Sequence, residues 1–126
     1  MDLLSTDLLT GRIIGCALEV HRFLGPGLLE SAYSQCFAYE LSAAGMAFEI
    51  EKPMPVRYKD ITLDCGYRVD FLVEKQVIVE LKAVSEVVDI HKAQTLSYMK
   101  LASVDTGLLI NFNVKLLKNG ITRFKL

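Results

Sequence analysis

The chain has 126 residues, of which 52% are hydrophobic and 23% are charged, and its formal net charge is −1. A chain of this length is expected to fold as a single domain, over residues 1–126, around one substantial core. Its longest apolar runs fall far short of the ~20 residues that cross a bilayer, which excludes a membrane-spanning protein. The low net charge argues against a protein that holds nucleic acid by bulk electrostatic attraction.

The start of the chain and its cysteines predict a cytoplasmic protein. Residues 1–12, "MDLLSTDLLTGR", contain an early acid, no basic n-region and no small-residue cleavage site, so they do not resemble a secretory signal. The three cysteines, Cys16, Cys36 and Cys65, are far apart and lie in apolar surroundings. This arrangement argues against a disulfide framework and against a CxxC metal site, and it predicts buried free thiols.

The first third of the chain predicts two helices. Apolar residues recur at intervals of three and four over residues 5–24, which is typical of an amphipathic helix that Ser5 or Thr6 could cap. Gly-Pro-Gly at 25–27 ends this helix, because proline cannot continue it and glycine tolerates the turn. A second helix is predicted to begin near Leu28 and to end at Gly45.

The rest of the chain alternates strand-like and helix-like segments. An antiparallel meander of three strands is predicted before residue 85, with turns at Lys52-Pro53, Lys59-Asp60 and residues 74–76. A helix over about 85–101 and a short buried strand at 106–112 follow, and Asn119-Gly120 predicts a type I′ hairpin turn. The predicted fold is therefore an α/β sandwich in the order ααβββαβ with a C-terminal β-hairpin, in which helices flank a mixed central sheet.

Three charged residues interrupt the apolar hairpin "RVDFLVEKQVIVELKAV" at residues 68–84. Side chains alternate across a strand, so Glu80 and Lys82 share one face. If residues 74–76 form a three-residue loop, Asp70 lies directly opposite Glu80 with the two Cβ atoms ~5 Å apart. A two-residue loop would instead place the two carboxylates on opposite faces, so the site depends on the turn.

Two facing carboxylates repel each other unless a shared proton, a protein cation or a metal ion offsets the repulsion. Lys82 supplies one positive charge, and the remaining negative charge suits a hard ion such as Mg²⁺. Alternatively, the three charges are solvated residues on an edge strand that protect it against aggregation. The spacing alone favours this second interpretation, because Glu-x-Lys is a short pattern.

An ordered set of motifs resembles a known nuclease superfamily. Asp70 on one strand, Glu80-x-Lys82 on the next and a following helix resemble the PD-(D/E)xK nucleases, whose core is an αβββαβ sandwich. "GLLESAY" at 27–33 is similar to the Gly-x-x-Glu-x-x-Tyr motif of the GxxExxY proteins, a branch of that superfamily, and "QTLSY" at 94–98 resembles the Gln-x-x-x-Tyr element of RecB-like nucleases. Each motif is weak alone, but their order along nearly the whole chain is specific.

The resemblance implies a nuclease that uses Mg²⁺ or Mn²⁺ and acts on nucleic acid, with DNA expected before RNA. The implied catalytic residues are Lys82, Gln94 and Glu30, and the implied metal ligands are Asp70, Glu80 and the backbone carbonyl of Leu81. Val69 stands where the superfamily's name has proline, a departure that many members share. The chain has no cysteine cluster, so an iron-sulfur variant is not implied.

Several of these residues also have a structural explanation. Glu30 could be a carboxylate that the free N–H groups of the helix start stabilise. Gln94 belongs to a polar helix ridge that would ordinarily face solvent. Four further residues would line the site or serve the fold, as a core aromatic, as parts of that ridge or as a helix cap: Tyr33, Tyr98, His91 and His21.

Two other functions remain open at this stage. A nuclease-like module could bind nucleic acid or a protein without cutting, which the low charge favours and the complete set of Asp70, Glu80 and Lys82 disfavours. A purely structural α/β domain is the other alternative. Because the chain is small, a homodimer or a partner protein would supply further nucleic-acid-binding surface. The lysines and arginine after Asp105, a segment without acids, motivate that expectation.

Overall fold

The computed structural model describes the backbone of residues 3–126 and the side chains of residues 6–126. The helices in this part of the chain are α1 (Leu3–Leu24), α2 (Glu30–Ala43) and α3 (Asp89–Ala102). The strands are β1 (Phe48–Pro53), β2 (Val56–Tyr58), β3 (Ile61–Leu63), β4 (Arg68–Val73), β5 (Val77–Lys82), β6 (Thr106–Asn111) and β7 (Ile121–Lys125), and a 3₁₀ helix (Leu117–Gly120) precedes the last strand. The predicted α/β class is confirmed.

The central sheet has five strands in the order β1-β4-β5-β6-β7. Strands β5 and β6 run parallel and the other neighbours run antiparallel, so the predicted mixed sheet is confirmed. A parallel pair needs a crossover connection, and α3 provides it. All six residues of β6 are buried, as expected for a strand that is covered on both faces.

Strands β2 and β3 form a separate hairpin outside the central sheet, which we call the β2–β3 arm (residues 56–63). The predicted three-stranded antiparallel meander is present as β1-β4-β5, but the arm is an unpredicted insertion in it, because β1 pairs directly with β4 from Phe48↔Val73 to Pro53↔Arg68. Almost every residue of the arm is exposed. The arm does not pair with the strands of the central sheet. Its β-branched and aromatic residues are therefore not buried as such residues usually are in strands.

The predicted turn at Asn119-Gly120 is also wrong. These residues end the 3₁₀ helix, and β7 pairs antiparallel with β6 from Thr106↔Lys125 to Ile110↔Ile121. The C-terminal antiparallel pair therefore consists of β6 and β7 joined by a longer connection. Leu117 in that connection is only 3% exposed and belongs to the core, which explains why this segment turns inward before the strand begins.

The helix boundaries differ from the predicted ones. Helix α1 begins at Leu3, so Ser5 and Thr6 lie inside it and neither is its cap. Helix α2 begins at Glu30 and α3 at Asp89, both later than predicted. Of the cysteines, which are all free, Cys16 is buried whereas Cys36 and Cys65 are exposed, so the prediction of buried thiols is wrong for two of the three. None of the described helices combines the length and apolarity needed to cross a membrane.

The central sheet separates two hydrophobic clusters. Alternation along β5 sends Val79 and Leu81 toward α1 and α2, and Ile78 toward α3. Helix α3 packs closely on β6 at Gly107, where a Cβ atom would lie 2.6 Å from the sulfur of Met99. Glu80 and Lys82 share the side of Ile78, so the charged pair of β5 lies on the α3 side of the sheet.

Candidate active site

The turn between β4 and β5 sets the register of the charged hairpin. Glu74 and Lys75 both adopt the left-handed conformation, with φ of 53° and 57°. The ladder has three pairs, Phe71↔Val79, Leu72↔Ile78 and Val73↔Val77. This is the register of a three-residue loop, as predicted, and one step further along both strands Asp70 and Glu80 face each other.

The two strands separate at Asp70. The paired ladder ends at Phe71↔Val79, and the backbone N–H of Leu81 instead donates a hydrogen bond of 2.8 Å to Oδ2 of Asp70. The Asp70 carboxylate thus accepts a hydrogen bond from a backbone N–H that would otherwise pair with a carbonyl of the neighbouring strand. This contact holds the Asp70 carboxylate beside the backbone of β5, next to Glu80.

Glu80 is a buried acid, with 5% of its surface exposed. Burial is the main reason that its pKa rises from 4.5 to about 9; the charge of Asp70 and a hydrogen bond to it raise the pKa further, while Lys82 opposes the shift. Oε1 of Glu80 is buried without a hydrogen-bond partner among the described residues. A buried polar atom without a partner needs an explanation, and an ion or a water molecule that binds there is one.

Glu30, the first residue of α2, lies near Asp70. Partial burial raises the pKa of its carboxyl, the charge of Asp70 adds to the shift, and Lys82 lowers it. Glu30 and Asp70 line one cleft of about 520 Å³. The structure therefore brings Glu30 into the electrostatic neighbourhood of the candidate site, while its place in the first helical turn also fits the capping explanation.

Tyr33 occupies the core. It is fully buried, and its ring stacks on Phe112 with the two centroids 4.6 Å apart. Its hydroxyl donates to the carbonyl of Gly25 at 2.6 Å and accepts from the N–H of Leu28 at 3.1 Å. Tyr33 thus fastens the loop that immediately precedes Glu30, which gives a physical reason for the spacing of the Gly-x-x-Glu-x-x-Tyr motif.

Gln94 and Tyr98 lie one turn apart on α3. The side-chain amide of Gln94 donates a hydrogen bond of 3.2 Å to the hydroxyl of Tyr98. Tyr98 is only 7% exposed, so it does not lie on a solvent face. Burial first, and then the charge of Glu80, raise the pKa of its hydroxyl. Tyr98 is therefore a neighbour of the carboxylates, and Gln94 is joined to it.

The two histidines make structural contacts. Nε2 of His21 lies 2.7 Å from the carbonyl oxygen of Val114, and its ring lies beside Phe112. Nδ1 of His91 accepts a hydrogen bond of 3.1 Å from the N–H of Val88, which caps α3. These contacts connect α1 to the loop after β6 and secure the start of α3, and neither contact involves the carboxylate pair.

Two residues that the sequence did not single out border the site. Glu51 in β1 shares the cleft of Glu30 and Asp70 and adopts the left-handed conformation, with φ of 53°. Tyr67, just before β4, contacts Tyr98 with the ring centroids 6.3 Å apart. No local pattern marks a left-handed glutamate within a strand, so the sequence offers no signal for Glu51.

The donor set of the pair fits a hard divalent cation. Such ions are commonly held by one or two carboxylates together with water and substrate phosphate, and Asp70 and Glu80 offer this number. Oε1 of Glu80, which has no hydrogen-bond partner within the described part of the chain, agrees with that fit. Over residues 3–126 no group of three or more His, Cys, Asp or Glu side chains is placed to hold a metal. An ion at this pair would therefore take its remaining ligands from the backbone, water or substrate.

Comparison with known proteins identifies the family of the chain. A family model described as the PD-(D/E)XK nuclease superfamily matches residues 7–124. The comparison with curated proteins and the comparison with solved structures each returned no match. The matched segment contains all the candidate site residues, together with nearly the entire sheet and its helices. The chain belongs to the PD-(D/E)XK nuclease superfamily.

Proposed function

We propose that this protein is a Mg²⁺- or Mn²⁺-dependent nuclease that hydrolyses phosphodiester bonds of nucleic acid, with DNA as the favoured substrate. The observation that carries the proposal is the pair of Asp70 and the buried Glu80, of which one Glu80 oxygen has no hydrogen-bond partner among the described residues. Family membership supports nuclease activity. The motif "GLLESAY" further supports a place in the GxxExxY branch, since Tyr33 holds the loop from which α2 and Glu30 begin.

The carboxylates of Asp70 and Glu80 would hold the cation, with the carbonyl of Leu81 as a third protein ligand. When bound, the ion would act as a Lewis acid that polarises the phosphate and lowers the pKa of a bound water molecule. Glu80, with a pKa of about 9, is protonated at neutral pH without the ion, so binding would release that proton.

The other residues would orient the substrate. Lys82 shares the face of Glu80, where its positive charge would stabilise negative charge that develops on the phosphate. Gln94, which is hydrogen-bonded to Tyr98, would position the attacking water, and Glu30 would assist from its place near Asp70. A homodimer or a partner protein would extend the nucleic-acid-binding surface; exposed apolar side chains on α1, such as Leu8 and Phe23, support a further contact surface.

A cleavage assay tests the proposal. The wild-type protein is incubated with linear, circular and single-stranded DNA and with RNA, each in Mg²⁺, Mn²⁺ and EDTA, beside Asp70→Ala and Lys82→Ala variants that were purified in parallel. We expect hydrolysis with either metal, none in EDTA, none with Asp70→Ala and a rate about 100- to 1,000-fold lower with Lys82→Ala. Hydrolysis by both variants at the wild-type rate would indicate contamination and would remove the support for the assignment.

A binding module without hydrolytic activity is the second candidate. The net charge of −1 and the lack of a three-ligand metal cluster in the described part of the chain favour it. The facing carboxylates of Asp70 and the buried Glu80 disfavour it, because a surface that only binds gains nothing from two facing acids. In the same assay, retention of nucleic acid without any cleavage in either metal would favour this candidate over the nuclease.

A further inference from the structure

A second groove, of about 710 Å³, lies between α3 and the base of the β2–β3 arm. Val56 and Tyr67 form its wall on the side of the arm, and Gln94, Tyr98 and Leu101 contribute from α3. The volume falls within the range of small-ligand sites, and the lining combines apolar and aromatic surface with a few polar groups, as such sites do. We call it the arm groove.

The arm groove adjoins the carboxylate site. Tyr98 lines the groove and belongs to the same buried cluster as Leu72 and Ile78, which lie two residues from Asp70 and Glu80 along β4 and β5. The charges of Glu80 and Asp70 also act on the hydroxyl of Tyr98. Gln94, which donates to that hydroxyl, also lines the groove. A nucleic acid strand with one phosphate at the carboxylates would therefore have a neighbouring part beside this groove.

Tyr67 presents an aromatic surface there. Its ring meets that of Tyr98 at an angle of 61°, and the contact supports the ring while 46% of Tyr67 stays exposed. Exposed aromatic rings of this kind stack on unpaired bases, and the stacking tolerates any base because each has a π face. Lys100 lies on the same groove and can meet a backbone phosphate.

We propose that the arm groove receives an unpaired nucleobase from the strand that is cut, so that the substrate is single-stranded beside the scissile phosphate. This inference rests on the proposed function. Bases within a duplex are stacked on one another and cannot enter a side groove unless they are flipped out. A net charge of −1 gives little bulk attraction for a duplex, whereas base stacking supplies affinity that does not depend on a high positive charge.

A peptide is the other occupant that an apolar groove could take. Two features favour the base: the paired tyrosine rings, and the two residues that the groove shares with the carboxylate site. A peptide-binding groove would have no reason to adjoin a pair of acids that suits a phosphate-bound cation. If the groove instead takes a peptide, substitutions of Tyr67 should leave the affinity for nucleic acid unchanged.

Fluorescence anisotropy with a labelled single-stranded oligodeoxynucleotide, and with its duplex, measures the binding. EDTA is present throughout, so hydrolysis does not interfere. The variants are Tyr67→Ala, Tyr67→Leu, which keeps apolar bulk without a ring, and Tyr67→Phe, which keeps the ring. Tyr39→Ala is the matched control, because Tyr39 is also exposed, at 71%, and lies on α2 outside the groove. Thermal unfolding verifies that each variant is folded.

We expect the wild type to bind the single strand more tightly than the duplex. Loss of one stacked base should weaken single-strand binding roughly 5- to 100-fold in Tyr67→Ala and in Tyr67→Leu. Tyr67→Phe and Tyr39→Ala should bind like the wild type. A 2-aminopurine base in the strand should change its fluorescence on binding to the wild type and should not do so with Tyr67→Ala.

Three results would overturn the inference: no binding of the single strand by the wild type, tighter binding of the duplex, or unchanged affinity in folded Tyr67→Ala and Tyr67→Leu. The outcome is separable from that of the proposed function, because EDTA prevents metal-dependent hydrolysis. Binding that depends on Tyr67, without cleavage in Mg²⁺ or Mn²⁺, would support the groove and reject the nuclease. Metal-dependent cleavage, together with binding that the Tyr67 substitutions do not change, would support the nuclease and reject the proposed role of the groove.

Discussion

The carboxylate of Asp70 accepts a hydrogen bond from the backbone N–H of Leu81, with 2.8 Å between Oδ2 and the nitrogen. The ladder of β4 and β5 ends one pair earlier, at Phe71↔Val79. The sheet therefore opens where the two facing acids meet, and a side chain replaces the missing main-chain partner. This local opening places one carboxylate beside the other, and the hydrogen bond to Leu81 fixes the position of Asp70 relative to β5.

Asp70→Asn separates the charge of this residue from its role in the sheet. An asparagine still offers an oxygen to the N–H of Leu81, so the protein should fold, whereas the loss of a metal-binding carboxylate should reduce cleavage. Loss of a residue that only supports a metal ligand typically reduces activity roughly 10- to 100-fold. We expect the loss of a ligand itself to reduce the cleavage rate at least as much. Initial rates in Mg²⁺ measure it. Asp60→Asn, an exposed acid in the turn of the β2–β3 arm, is the control and should match the wild type.

Glu80→Gln should change how stability depends on pH. The carboxyl of Glu80 has a pKa of about 9 when folded, against the ordinary 4.5, so the unfolded chain loses this proton first as the pH rises. The stability that protonated Glu80 contributes is fully present below about pH 4.5 and is lost progressively up to about pH 9. The total loss is on the order of a few kcal/mol. Without metal, the free energy of unfolding of Glu80→Gln should therefore exceed that of the wild type increasingly toward alkaline pH.

Urea unfolding in EDTA near pH 5, 7 and 9 measures this difference. Glu86→Gln, a substitution of an exposed glutamate, is the matched control and should follow the wild type at each pH. Parallel curves for wild type and Glu80→Gln across this range would show that Glu80 does not hold its proton in the folded protein.

Lys82→Ala should reduce cleavage without unfolding the protein. Lys82 opposes the rise in pKa of both Glu30 and Glu80, so its positive charge acts on both carboxyl groups. Removal of one positioned group that stabilises transition-state charge typically costs about 100- to 1,000-fold in rate, and we expect a loss of that order. Lys118→Ala, an exposed lysine in the 3₁₀ helix, provides the comparison. Similar rates for the two variants would exclude a role for Lys82 in the reaction.

Tyr33→Phe should destabilise the fold and disturb the start of α2. The change leaves the carbonyl of Gly25 and the N–H of Leu28 without their hydroxyl partner, at a cost of about 1–3 kcal/mol. Chemical denaturation measures the loss. Tyr39→Phe, on the exposed side of the same helix, should stay within about 0.5 kcal/mol of the wild type. A change in Tyr33→Phe no larger than this would show that the tyrosine does not fasten the loop.

Local patterns in the sequence predict the geometry of the candidate carboxylate pair once the turn length is known. Alternation of side chains over residues 68–84 leaves two registers, and the three-residue loop of the structure selects the one in which Asp70 and Glu80 face each other. The buried strand β6 was likewise predictable, because a short unbroken apolar run needs cover on both faces. In both cases neighbours along the chain determine the result.

Features that depend on distant contacts could not be predicted in this way. The partner of β1 is β4 and not the next strand, because the arm between them leaves the sheet. Asn119-Gly120 has the composition of a tight turn, but the burial of Leu117 favours a 3₁₀ helix there. The contact of Tyr67 with Tyr98 joins the base of the arm to α3 and has no counterpart in the local sequence.

Anomalous diffraction from crystals that contain Mn²⁺ tests most directly whether Asp70 and Glu80 together hold a divalent cation. We expect one strong anomalous peak within coordination distance of both carboxylates, and its loss in crystals of Asp70→Asn. Strong Mn²⁺ peaks at other positions, with none between Asp70 and Glu80 at a pH where Mn²⁺ is saturating, would contradict it.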